Sequence, residues 1–203
     1  HFSVRRRNII VVADLGEAMI DQALADGVVR DVPILGSLLR VVRTGGAVRD
    51  YMFTKKVLGF LQRTAREPHA VRMAFLDRVG GPAERRKLGE TLVLLLDRLD
   101  DMEKTDLLAR IFIALVRGRV TYDQFRRLSG ALDRIALTAV PELRRFYREP
   151  REGVTIAGED LTHLASIGLV GMRFFPAGWD ASTGGAFATT ELGAQFLDVL
   201  ESV

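Results

Sequence analysis

Apolar residues recur at alternating steps of three and four along most of this chain, and glycine or proline interrupts them at short intervals. Phe125, Leu128, Leu132, Ile135 and Ala139 keep that spacing, as do Leu88, Leu92, Leu95 and Leu99. Leu108, Ile111, Phe112 and Leu115 fall at i, i+3, i+4 and i+7, and before them Phe53, Val57, Phe60 and Leu61 at i, i+4, i+7 and i+8. A turn of about 3.6 residues puts such positions on one side of a helix, and an apolar side in water needs cover. Successive helices with apolar sides cover one another, so the pattern predicts a mainly α, multi-helix bundle.

The punctuation sets the helix ends. Pro68 closes a helix over 48–66. Val71, Ala74, Phe75 and Val79 form the apolar side of a short helix closed by Gly80-Gly81-Pro82. Gly118 ends the helix striped by Leu108 to Leu115, and Thr121 with Gln124 has the spacing of a capping box for the next. Pro141 and Pro150 bracket a last short helix. Upstream, the spacing predicts helices over 8–25 and 34–42, the second entered through Asp31-Val-Pro33. Residues 150–158 are the linker between a helical body, 1–150, and a C-terminal unit, 151–203.

That unit has a different rhythm. Leu161, Leu164 and Ile167 give a helix. Gly171 to Phe175 and Ala186 to Thr190 flank a Gly/Pro/Ser-rich tip and give one β-hairpin; Glu191 to Leu200 returns to helical spacing. The string Leu164-x-x-x-Gly-Leu-Val170, hairpin, Thr190-Glu-Leu-Gly193-x-x-Phe196-Leu197 resembles the closing half of bacterial winged-helix proteins. The whole plan, an apolar Pro-Ile-Leu-Gly entry, a helical body and this end, resembles proteins grouped with the abortive-infection alpha family. The resemblance implies a winged-helix-like C-terminal unit and an accessory role, phage defence among them, in the bacterial cytoplasm. It carries no functional residue over to this sequence.

Charge separates this chain from DNA-reading relatives of that plan. From Val154 to Val203 there is one basic residue, Arg173, against six acidic ones. Nucleic-acid affinity comes largely from neutralising phosphates with Lys and Arg. The net charge is +3, split as +7 over residues 1–140 and −4 over residues 141–203. The densest basic stretch is 40–90, with 12 Lys/Arg and 5 Asp/Glu. Arg49, Lys55, Lys56, Arg63 and Arg66 in it belong to one helix and are the candidate face for an anionic partner.

Known chemistries find no motif. Cysteine is absent, so disulfides, thiolate metal sites and a cysteine nucleophile are excluded. No P-loop, Gly-x-Ser-x-Gly elbow or His-Glu-x-x-His occurs. Gly118 to Phe125 has the look of half a calcium loop, but the ligand positions before it hold Ile113, Leu115 and Arg117, which cannot bind calcium. Asp97, Asp100, Asp101, Glu103 and Asp106 cluster, and a helix cap with local counter-charges accounts for them better than a cation. Glu159 and His163 share a helix side, but two ligands do not close a zinc site. No metal, cofactor or catalytic residue is expected.

The reading is a non-enzymatic interaction or regulatory protein that pairs with a protein partner or itself. Trp179, at the hairpin tip, is the candidate partner contact. The alternatives are a nucleic-acid-binding regulator using residues 40–90, and a membrane-active effector using 32–48. No stretch is long and apolar enough to span a bilayer, and no leader is expected at the basic start. The two parts are expected to meet through Leu161, Leu164, Ile167, Leu192, Phe196 and Leu200, with Phe174, Phe175 and Phe187 sealing the same core.

Overall fold

The computed structural model describes residues 48–148, 159–173 and 186–202. The expected helices over 8–25 and 34–42, the linker 150–158, Phe174, Phe175 and the hairpin tip lie outside the described residues. The chain forms two compact units, His1–Val120 and Thr121–Val203. Eight α-helices and one two-stranded antiparallel hairpin make up the described elements, so the protein is mainly α.

In the first unit, α1 (Val48–Thr64), α2 (His69–Val79), α3 (Pro82–Arg98) and α4 (Met102–Val116) follow one another through short connections. Helix α4 packs on α1 and α2, and α3 packs on both of those as well. Every residue of α4 from Ile111 to Val116 is buried, as expected of a helix apolar all round. Phe112 is the aromatic centre. Its ring lies 5.3 Å from that of Phe60 and 5.7 Å, edge-on, from that of Phe75. The apolar stripes read from the sequence point inward: Val57, Phe60 and Leu61 on α1, Leu88 and Leu92 on α3, and Leu108 to Leu115 on α4 are buried. Helix α2 departs from its expected stripe. Phe75 and Leu76 are its buried pair, Val71 and Val79 are half-buried, and Ala74 is exposed. A methyl group gains little from burial beside Leu76, so the helix turns its larger side chain inward.

Helix ends follow local chemistry. Asp101 is the N-cap of α4, its carboxylate accepting the Glu103 N–H at 2.7 Å. The helix stops at a left-handed Gly118, φ +73°, where the Arg119 N–H reaches back to the Ala114 carbonyl at 2.8 Å. Thr121 and Gln124 form the full reciprocal capping box that opens α5 (Tyr122–Arg134).

The second unit runs α5, a 3-10 turn (Leu137–Ala139), α6 (Val140–Arg148), α7 (Glu159–Ser166), β1 (Val170–Arg173), β2 (Ala186–Thr189) and α8 (Glu191–Glu201). Phe125, Leu128, Leu132, Ile135 and Ala139 are all buried, but the helix carrying the first three ends at Arg134. Pro141 has no N–H to give and tolerates only a first turn, so a new helix begins there and residues 135–139 form the corner. Helix α7 packs on α6, on the 3-10 turn and on β1; α8 packs on α5 and α6. The strands pair in the register Val170↔Thr189 to Arg173↔Ala186. Leu161, Leu164, Ile167, Phe196 and Leu200 are buried as expected, whereas Leu192 and Phe187 are half-buried. The helices covering these residues inside the unit are α5 and α6, which the sequence-based division at 150 had assigned to the body.

Candidate partner-contact surfaces

Helix α1 carries four of the five cations nominated from the sequence, with Arg66 in the turn just past its end at Thr64. Its exposed stripe holds Met52, Lys55, Gln62 and Arg63, and Arg66 in the turn that follows is exposed as well. Lys56 is on the buried side, 8% exposed. Its ammonium donates to the Leu99 carbonyl at 2.7 Å and the Asp97 carbonyl at 3.3 Å. Those are orphan acceptors at the C-terminal end of α3, which a cation satisfies in both charge and hydrogen bonding. Lys56 therefore belongs to the fold and not to an anionic-partner face. Arg63 is half exposed and makes a two-pronged pair with Asp106, both N–O distances being 2.6 Å. The side chain of Arg49 lies outside the described residues. Lys55 remains as an exposed cation of α1 and Arg66 as one in the turn after it.

The same fate meets other cations of the 40–90 stretch. Arg72 donates to the Ala65 and Glu67 carbonyls just past the end of α1. Arg85 donates to the Gly80 and Leu76 carbonyls at the end of α2. Arg78 reaches the Val116 carbonyl at 2.5 Å at the end of α4. Among the described helices of this unit, α2, α3 and α4 thus have a Lys or Arg from another helix on carbonyls at their C-terminal ends, and α1 has one on the turn that follows it. Composition could not reveal this, because a capping arginine and a solvated one read alike. The i,i+4 rule finds pairs along a helix, while these partners lie across turns and between helices.

The acidic cluster resolves into single roles. Asp101 caps α4, Asp106 pairs with Arg63, and Asp100 pairs with the buried Lys104 ammonium at 3.0 Å. The Lys104 hydrogen bond holds the Asp100 carboxyl below its usual range, helped by a backbone hydrogen bond. Among the described residues no group of three or more His, Asp or Glu side chains is placed to hold a metal. His163 Nε2 accepts the Ala136 N–H at 3.3 Å, a contact between α7 and the corner after α5.

Sequence reasoning missed Glu67 and Tyr147. Glu67 is 5% exposed and makes a two-pronged pair with Arg117, at 2.8 and 2.9 Å, beside the end of α4. Tyr147 joins α6 to the hairpin base, with its hydroxyl 2.7 Å from the Leu169 carbonyl and 2.8 Å from the Thr190 nitrogen. Neither has a local signature, since their partners lie 50, 22 and 43 residues away.

On the second unit, Asp160, Glu191 and Asp198 are exposed on α7 and α8, and Thr162 and Ser166 are exposed, uncharged positions of α7. Glu201 pairs with Arg144 of α6 at 3.4 Å. On β1, Met172 is 43% exposed opposite a half-buried Phe187. Trp179 lies outside the described residues. Among the described residues no helix is long and apolar enough to cross a membrane. No protein-family model, no curated protein and no solved structure matches the chain.

Proposed function

We propose that this chain is a non-enzymatic interaction protein whose C-terminal unit is a winged-helix-like module used to contact protein and not nucleic acid. The order helix, helix, helix, hairpin, helix in residues 121–203 supports the comparison of shape. The observation that carries the choice of partner is the charge of the helix before the hairpin, and the employment of cations in the first unit accompanies it. Lys56, Arg72, Arg78 and Arg85 are bound to helix-end carbonyls, and Arg63 and Arg117 to carboxylates. A protein that holds DNA through about six to ten phosphates needs comparable numbers of cations facing outward. On α7, the helix before the hairpin, the exposed positions are acidic or neutral.

The second reading, an anionic partner for the first unit, draws on Lys55 and Arg66 alone among the five nominated cations. Lys55 is exposed on α1 and Arg66 in the turn past its end, and elsewhere in the 40–90 stretch Arg86 and Lys87 are exposed on α3. These four charges predict a log-log slope no steeper than about −4 on duplex DNA. The membrane reading rests on 32–48, outside the described residues.

Fluorescence anisotropy of the full chain with duplex and single-stranded DNA, at low and moderate salt, tests the proposal. The expected result is no saturable binding that falls steeply with salt. A slope of many counter-ions would transfer the function to the nucleic-acid reading. Turnover of a nucleotide, nucleic acid or lipid would end the non-enzymatic one. A pull-down from the native host should recover a protein with the wild-type chain and lose it when Asp160 and Asp198 are changed to Lys.

A further inference from the structure

We infer that the Tyr147 hydroxyl is a conformational clasp: it supplies the last rung of the hairpin from α6, so that the hairpin base and the first turn of α8 open together when it is released. The strand register ends at Val170↔Thr189. One step beyond, Leu169 and Thr190 face each other across the open end of the ladder. An ordinary rung would join the Thr190 N–H directly to the Leu169 carbonyl. Here a side chain stands between them. The Thr190 N–H donates to the Tyr147 oxygen at 2.8 Å, and the Tyr147 O–H donates to the Leu169 carbonyl at 2.7 Å. Its single proton has an alternative acceptor in the Thr190 carbonyl at 3.0 Å.

The same residues hold α8. Thr190 is the N-cap of that helix, and its Oγ1 accepts the Gly193 N–H at 3.0 Å. That hydroxyl also lies 2.9 Å from the Gly168 carbonyl, to which it donates. Gly193 leaves the seat for the tyrosine. A Cβ at that position would come within 2.1 Å of both the Tyr147 oxygen and the Leu169 carbonyl oxygen, so the clasp needs a residue with no side chain there. Tyr147 itself sits in the last turn of α6, whose final residue is Arg148. Helix ends are the least cooperative part of a helix. The closure of the hairpin is therefore conditional on the end of a different element, and it holds whether or not the unit has a protein partner.

Hydrogen exchange on the full chain, wild type against Tyr147→Phe, tests this. Phenylalanine keeps the ring and removes only the hydroxyl. Amides of 170–172, 187–190 and 193 should exchange roughly tenfold faster, the effect of losing about one net hydrogen bond to a buried group. Amides of α5 should keep their wild-type rates within about a factor of two, the reference for an event confined to the clasp. Unchanged hairpin rates would overturn the clasp. So would a loss of protection shared equally by α5, including outright unfolding of the unit, since that makes Tyr147 a general stabiliser.

Discussion

Gly193 shows how much a single position can carry. Every other residue type would place a Cβ on a carbonyl oxygen of the chain, which cannot swing aside as a long side chain can. Gly193→Ala should therefore cost about 1–3 kcal/mol or more by overpacking, read as a lower denaturant midpoint with α8 signals most affected. A negligible shift would mean that the hairpin base gives way freely. Asp100 makes a pH prediction. Its folded-state pKa is lowered by Lys104, so its contribution to stability is present above the ordinary carboxylate range and is lost as pH falls through the lowered value. Asp100→Asn should leave a curve of unfolding midpoint against pH that falls less steeply below about pH 4 than the wild-type curve. Parallel acid branches would remove Asp100 from the account. Neither role could be read from sequence: Gly193 stands in the winged-helix-like string without a stated reason, and an aspartate in a cluster of acids reads like its neighbours.

At the scale of elements, local signals and distant ones part company. The capping box at Thr121 and Gln124, the Asp101 cap and the Gly118 stop were legible because each device closes within about one turn of backbone. The chain at the C-terminal ends of α1 to α4 is held by Arg72, Arg85, Lys56 and Arg78, each from another helix of the unit, and the last two reach acceptors 43 and 38 residues away. Adjacent lysines on α1 test the distinction. Lys56→Met leaves the Leu99 carbonyl at the end of α3 without its charged donor and should cost about 1–3 kcal/mol. Lys55→Met changes an exposed side chain and should stay within about 0.5 kcal/mol. Equal effects in chemical denaturation would refute the assignment of Lys56 to the fold. Lys56 leaves the nominated cation face for the same reason: the helix was legible, but which neighbour covers its flank was not.

On the scale of the whole molecule, each unit has an aromatic anchor in its own core, Phe112 on α4 and Phe196 on α8, both about fully buried. Phe112→Ala and Phe196→Ala should each cost about 3–5 kcal/mol, the loss of a large buried ring and the cavity it leaves. A Phe196→Ala chain that melts like the wild type would mean that the C-terminal helix is an appendage and not part of a core. By itself the sequence determined the mainly α class, most helix limits between 48 and 148, the one hairpin and the inward side of nearly every helix. Those properties depend on periodicity and caps, which act over a few residues along the chain. Tertiary structure alone decided that α5 and α6 join the hairpin in one unit, that Lys56 and Arg78 of the basic stretch hold the ends of distant helices, and that Tyr147 completes the hairpin. Those outcomes depend on which groups meet after chain segments 20 to 50 residues apart are brought together. A side chain's employment there is fixed by the nearest unsatisfied carbonyl, a quantity that exists only once the helices are packed.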